Sequence, residues 1–415
     1  MSRLLDVLVP PRLGTGFRWL LASSWTSNLG DGIALAAGPL LVASLTDDAR
    51  LIALAATVQW LPPLLFGLLA GALADRHDRR TIVVAVDLAR AFVLAVLVTV
   101  VVTGHVTIAI ALLALFVVAT AEVFADNSSQ TMLPNLVARD DIAIANARLS
   151  TGFITVNQLA GPPLGAALFA VGWALPFSAQ ALAVALGAVL MTRVLVQRPV
   201  REQVPARLRS DIAEGFRWTM HHAAIRTLVL TIFVFNITFG AAWSVLVLYS
   251  SERLGLGPVG FGLVTTTSAV GGLVGTTLYG ALTRRISLGG LMRIGLVLET
   301  LTHLALALTT SPWVGLPVFF VFGVHAFVWG ATSTTVRQRA VPPALQGRVG
   351  SVNLVGVFGG LVIGSGLGGV IAHRWGVTGP FWFAFVGSAV FLAILWRQMA
   401  HIAHDAPLLG TPDQR

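Results

Sequence analysis

Asp31 is the one carboxylate in residues 17–45. It lies about 21 Å from either end of that segment at a helical rise of about 1.5 Å per residue. Ser24, Asn28 and Asp31 share one face at helical spacing, a stripe that lipid would not tolerate. Glu122, Asp126 and Ser129 fall on one face of segment 106–135. His325, Trp329 and Thr332 share a face of 312–340, and Ile232, Asn236, Phe239 and Trp243 share one of 225–250. Charge is costly to bury in hydrocarbon, so ionisable groups in such segments are candidates for function. A carboxyl can take up or release a proton as its surroundings change between dry and wet. Aromatic faces hold cations and flat apolar rings with little demand for fixed geometry. Asp31 leads as a coupling or substrate group, against a structural hydrogen bond to a helix start. Glu122 and Asp126 divide evenly between the two readings, and for His325 a packing role comes first.

Other polar groups have plainer readings. Asp87 and Arg90, three apart in segment 81–103, suit an internal ion pair. Glu299 and His303, four apart in segment 287–309, could do likewise. Gly359, Gly360, Gly364, Gly366, Gly368 and Gly369 suit close helix packing. The chain has no cysteine and no lysine, hence no thiol metal site and no phosphate-binding Gly-x-x-x-x-Gly-Lys loop. No enzyme site, cofactor or metal is expected.

The elements that position these groups follow from composition. Of the 415 residues, 56% are hydrophobic and 11% charged, and the mean hydropathy is +0.83. One soluble core could not hide so much apolar surface, so the main solvent is lipid. Each crossing needs about 20 apolar residues. Twelve segments qualify, at 17–45, 51–74, 81–103, 106–135, 141–170, 173–196, 225–250, 258–283, 287–309, 312–340, 346–372 and 379–399. The expected fold is an all-α polytopic membrane protein of twelve spans. All 27 basic residues are arginine, a coding bias before anything else, and 23 of them fall on the side that holds both termini. That side is therefore expected to be cytoplasmic, in a cell membrane. The scatter of arginines argues against nucleic-acid binding.

The chain also repeats itself. An offset of 208 pairs Asn28 with Asn236, Gly32 with Gly240, and Pro134 with Pro342, and it aligns Phe17-Arg18-Trp19-Leu20 with Ile225-Arg226-Thr227-Leu228. Two parallel six-helix halves follow, an architecture of transporters. The expected organisation is 1–196 for the first half, 197–224 for a cytoplasmic linker, 225–399 for the second half and 400–415 for a tail. In the linker, Pro199 and Pro205 precede a short interfacial helix with Ile212, Phe216 and Met220 on one face.

Between spans two and three stands Gly71-Ala-Leu-Ala-Asp75-Arg76-His-Asp78-Arg79-Arg80, an unbroken ionisable run from Asp75. It resembles the signature loop of the major facilitator superfamily, with Asp78 where that pattern usually has glycine. The Asp-Arg-x-Asp-Arg-Arg form resembles the branch of macrolide, multidrug and siderophore exporters. So do Asn28-Leu-Gly-Asp31-Gly, Leu133-Pro134 with Ala145-Asn146-Ala147, and Gly347-Arg348-Val349. Gly161-Pro162-Pro163-Leu164-Gly165 is similar to the core of the antiporter motif, with its upstream glycine spacing incomplete.

The resemblance implies a secondary transporter whose spans one, four, seven and ten line a cavity. It implies proton-coupled antiport of amphipathic or cationic small molecules by a chain acting as a monomer in the bilayer. Asp31, Asn28, Glu122, Asp126 and His325 would serve coupling, and Phe239, Trp243, Trp329 and Asn236 the substrate. Asp75 would gate by meeting Arg348, with Gly71, Arg76, Arg79 and Arg80 completing the motif. The plainer alternative makes the arginine run a topology anchor only. A proton-coupled importer of the same fold, or a membrane sensor or lipid-handling protein, are the rival readings.

Overall fold

The computed structural model describes residues 11–195 and 208–401. Pro199, Pro205 and the tail beyond 401 lie outside the described residues, as does the side chain of Asp75. Ten helices are long and apolar enough to cross a membrane, and two shorter apolar helices, Leu175–Met191 and Gly379–Leu395, stand at the sixth and twelfth places. The described residues contain no strand. The chain is a polytopic all-α membrane protein.

The first six spans are α1 (Gly14–Leu45), α2 (Ala49–Arg76), α3 (Arg79–Val102), α4 (Ile108–Met132), α5 and α6 (Leu175–Met191). Of these, α5 has three parts: Ile142–Gly152, a π-helical stretch Phe153–Ala160, and Gly161–Val171. The linker helix is α7 (Leu208–His221). Then come α8 (Ala223–Trp243), α9 (Pro258–Arg285), α10 (Leu288–Leu308), α11 (Pro312–Ala340), α12 (Gln346–Trp375) and α13 (Gly379–Leu395). Packing divides the described chain into two compact units, one within Met1–Ala206 plus Leu256–Thr266, the other within Arg207–Gly255 plus Thr267–Arg415.

Each unit is held by buried apolar side chains. In the first, Phe17, Leu20, Val83, Met132 and Met191 cluster together. In the second, Ile225, Leu228, Met292, Leu296 and Val349 do. Many large apolar residues face outward, among them Phe92, Leu182, Trp313 and Val390. Such a surface is tolerable only where the solvent is hydrocarbon.

Two departures from regular helix have local causes. Pro162 and Pro163 supply no N–H to the carbonyls one turn back, and their rings crowd that turn. The helix widens into the π-helical stretch just before them. The seventh span, expected to run to residue 250, ends at Trp243 and resumes as Leu246–Leu248 and a π-helical turn Tyr249–Arg253. There Ser244 Oγ donates to the Ala241 carbonyl at 3.0 Å, a back-bond of the kind that bends helices.

The repeat reappears as packing. In the first unit, Gly32 of α1 sits against the Asn157 backbone, while Gly161 and Gly165 of α5 sit against the backbone of Gly32 and Ile33. In the second unit, Gly240 of α8 meets Leu361, and Gly360, Gly364 and Gly368 of α12 meet Phe233, Ile237 and Ala241. Span one on span five is thus copied by span seven on span eleven. Asn28 Nδ2 donates to the Ser24 carbonyl at 2.8 Å and Asn236 Nδ2 to that of Ile232 at 2.7 Å, the same bond in each repeat.

The linker helix, expected to be interfacial with Ile212, Phe216 and Met220 on one face, packs on α12 through another face. Gly215 and Thr219 are buried and Trp218 packs on the second core, whereas Phe216 is exposed and Ile212 and Met220 are only half-buried. Gly215 decides this, because its bare backbone lets α7 lie on α12: a Cβ there would stand 2.5 Å from the Arg348 carbonyl oxygen.

These contacts predict which glycines matter. Gly161→Ala places a Cβ 2.5 Å from the Gly32 backbone and should destabilise by about 1–3 kcal/mol, as overpacking does. Gly165→Ala should behave likewise. Gly71→Ala and Gly330→Ala, with nothing within 4 Å, should be neutral or slightly stabilising, since alanine is the better helix former. Thermal unfolding of the detergent-purified chain distinguishes them, and equal effects at all four positions would contradict the packing described.

Candidate functional site

In the first unit, three helices bring carboxylates to one arginine, and a fourth adds a bond to one of those carboxylates. Arg90, on α3, is only 1% exposed. Its Nη1 donates to Asp87 Oδ1 at 2.9 Å, one turn earlier on the same helix. Its Nη2 donates to Asp31 Oδ1 of α1, and Glu122 Oε2 of α4 lies 3.9 Å from that same nitrogen. From α6, Gln180 Nε2 donates to Asp31 Oδ1 at 3.5 Å.

The sequence around Asp31 explains its depth. Gly30 meets the Gln180 carbonyl and Ala183 of α6, and Gly32 meets Asn157 of α5. Glycine on both sides lets two neighbouring backbones close over the carboxylate. Asn157 Nδ2 adds a bond to the Asn28 carbonyl at 3.2 Å.

A cavity of about 150 Å³ opens beside this cluster, lined by Asp31, Glu122 and Asp126 together with Gln59, Gln180 and Pro63. Asp126 is exposed at its wall and Glu122 is partly so. Sites for drug-sized ligands run to about 300–1,000 Å³. This one has room for a few waters. One guanidinium faces three carboxylates with a fourth nearby, and an uncompensated charge removed from water is expensive. The arrangement can therefore hold and exchange protons with water in the cavity.

The expected acids do converge, and what the sequence reading missed is their common partner. Asp87 and Arg90 are not a private pair, because Arg90 also serves Asp31. The signal was present in that Arg90 stands in mid-span, whereas the other arginines fall in loops, tails or near span ends.

The second unit holds the aromatic residues. Phe239 and Trp243 stack with centroids 4.4 Å apart, and Trp243 lies 4.5 Å from Phe322. Phe319 meets Trp243 edge-on, and His325 meets Phe322 edge-on at 5.0 Å. Trp329 is half-buried against Gly295, and its indole N–H finds no acceptor.

The charged run between α2 and α3 mostly satisfies helix ends. Asp78 caps α3, accepting from the Arg80 amide and the Thr81 hydroxyl at 3.1 Å each. Arg79 donates to the carbonyls of Ala74 at 3.0 Å and Thr131 at 2.7 Å, and Arg80 donates to that of Thr192. Cations thus meet the negative ends of α2, α4 and α6. Arg76 is exposed and Gly71 has open space around it. Arg348, expected to meet Asp75, is held here by α7: its Nη1 lies 2.6 Å from Glu214 Oε1 and its Nε 3.1 Å from Asp211 Oδ1.

A family model described as transmembrane secretion effector, of the major facilitator superfamily, matches residues 8–406. The chain belongs to this family. It is 28% identical over 394 residues to the multidrug efflux pump Tap of Mycolicibacterium fortuitum, covering 90% of this chain and 91% of that protein. It is 24% identical over 359 residues to macrolide efflux protein A of Streptococcus pyogenes, covering 83% and 86%. Among solved structures, a bacterial homologue of the iron transporter ferroportin in an inward-facing state matches with a TM-score of 0.71 at 18% identity, covering 91% of this chain and 98% of that one. A bacterial homologue of the lysosomal transporter Spinster matches with a TM-score of 0.71 at 15% identity, covering 96% and 98%. At such identities the structures speak to the fold, which is that of major facilitator transporters.

Proposed function

We propose that this family member is a secondary active exporter that exchanges protons for amphipathic or cationic small molecules by alternating access. It acts as a monomer in the cell membrane with both termini cytoplasmic. The observation that carries the reading is the surplus of carboxylates around Arg90. Asp31, Asp87 and Glu122 against one cation leave net negative charge in a lipid-surrounded bundle, and protons are the cheapest compensation. A small cavity with room for water, beside Asp31, Glu122 and Asp126, supports a proton path better than a substrate chamber. Export is favoured by the multidrug and macrolide efflux relatives. The rings of Phe239, Trp243 and Trp329 supply faces for flat or cationic substrates, with Asn236 and His325 beside them.

Gating belongs to the same reading. Arg348 exchanges partners: Asp211 and Glu214 hold it in one state, and Asp75 takes it in the outward-facing state. An exposed ion pair contributes only about 0–1 kcal/mol, so partners of this kind can be traded cheaply. Arg76, Arg79 and Arg80 anchor the loop.

Inverted membrane vesicles test the coupling. A panel of labelled macrolides, organic cations and dyes should accumulate only under an imposed proton gradient, and Asp31→Asn should abolish that accumulation while folded protein persists. Gradient-driven uptake at the parent rate in Asp31→Asn would sink the assignment, and movement of solute in the opposite direction would indicate an importer.

Cysteine labelling tests the gate, since the chain has no cysteine of its own. Asp75→Asn should speed labelling of a cysteine placed at the cytoplasmic mouth and slow one at the external mouth, because losing a contact made in one state shifts the population to the other. Unchanged labelling at both would leave the arginine run as an anchor only.

A further inference from the structure

We propose that Glu299 and His303 form a proton-binding site within the second unit, holding one proton between carboxylate and imidazole, separate from the Arg90 cluster. Both residues lie on α10, one turn apart, with His303 Nε2 4.0 Å from Glu299 Oε1. His303 is fully buried and the Glu299 side chain is 14% exposed. Among the described residues, no other cationic group lies within ion-pairing distance of Glu299.

Charged groups around the pair have other partners: from the π-helical turn against the end of α10, Arg253 donates to the carbonyls of Thr309 and Leu308 at 3.0 and 3.2 Å, and the Tyr249 hydroxyl to that of Leu306 at 2.7 Å. On α10 itself, Arg293 donates to the Trp396 carbonyl at 2.7 Å and lies over that ring. From α11 the titratable groups are His325 in mid-helix and Arg337 and Arg339 in the last turn. From α8 there is Arg226, near its start and bonded to the Met220 carbonyl. The α13 sequence contains none, and the short helix Gln398–His401 adds His401 at its end. The pair is otherwise enclosed by rings: Trp243 meets His303 edge-on at 6.2 Å, and Phe319 and Phe322 close around Trp243.

Both ring nitrogens of His303 and both of His325 are buried without a partner. Buried polar atoms lack partners only exceptionally, so four in one layer call for a ligand. No three carboxylate or imidazole groups among the described residues converge closely enough to share a metal ion. A proton needs neither volume nor a coordination shell. With a neutral imidazole the Glu299 carboxylate leaves a net charge of minus one, and one added proton makes the pair neutral. The proton rests on the Glu299 carboxyl, which donates it to the neutral His303 Nε2 and turns the 4.0 Å separation into a hydrogen bond once the side chains close to hydrogen-bonding reach.

Occupancy can be read without transport, on the purified full-length chain in detergent. Infrared spectra taken across pH follow the C=O stretch of protonated buried carboxyls, and an indicator dye counts protons bound on acidification. Glu299→Gln should remove one carboxyl component and lower the count by one per chain. His303→Gln should keep that component but displace its titration. In the parent labelled with ¹⁵N-histidine, one imidazole should respond in step with the carboxyl band, a measurement that needs no variant. The proposal is overturned if Glu299→Gln leaves both band and proton count unchanged, or if no imidazole responds with the band. Asp31→Asn should retain the Glu299 component, so a failure of the transport reading and a failure of this one give different results.

Discussion

The guanidinium of Arg90 is the interaction on which the first unit depends. It is the common counter-ion of Asp31, Asp87 and Glu122, which belong to three helices. In a soluble protein, water could compensate a displaced carboxylate. Here the helices are surrounded by hydrocarbon, and each acid left alone must find a cation or a proton. The cluster therefore ties α1, α3 and α4 together through one shared cation. Glycines at 30, 32, 161 and 165 remove the side chains that would hold the neighbouring backbones away from it.

The two units solve the same packing problem and differ in their polar content. Span one on span five and span seven on span eleven use glycine contacts at matching places, and the repeated asparagines bond their own helix identically. The divergence lies in the polar and aromatic side chains. The first unit has acids around one arginine, and the second has stacked rings with a carboxylate and two imidazoles that, among the described residues, no arginine pairs with. A duplicated scaffold can carry unlike chemistry because the contacts that fold it are made by backbone and glycine, not by the residues that titrate.

Much of this was legible from residue types and spacing. Twelve apolar segments, the offset of 208, the depth of Asp31 and the superfamily loop were all visible because each depends on local pattern. What pattern could not supply was which side chain a polar group meets across helices. Arg90 was paired with Asp87 by their separation of three, and only tertiary packing brought Asp31 and Glu122 to it. Arg79 and Arg80 looked like topology charges, and the structure adds their bonds to the carbonyls at the ends of α2, α4 and α6. The docking of the linker helix was illegible for a similar reason: Gly215, not an apolar residue, lies against the Arg348 backbone.

If Arg90 is the shared counter-ion, its worth must depend on the charges it serves. The direct measurement is a double-mutant cycle of unfolding stability on the purified chain, with Arg90→Gln, Asp31→Asn and the two combined. Arg90→Gln alone should cost about 3–5 kcal/mol, as stranding buried charge does. Adding Asp31→Asn should recover part of that loss, because one stranded carboxylate is then neutral. Strictly additive losses, the outcome for sites that do not interact, would contradict the account.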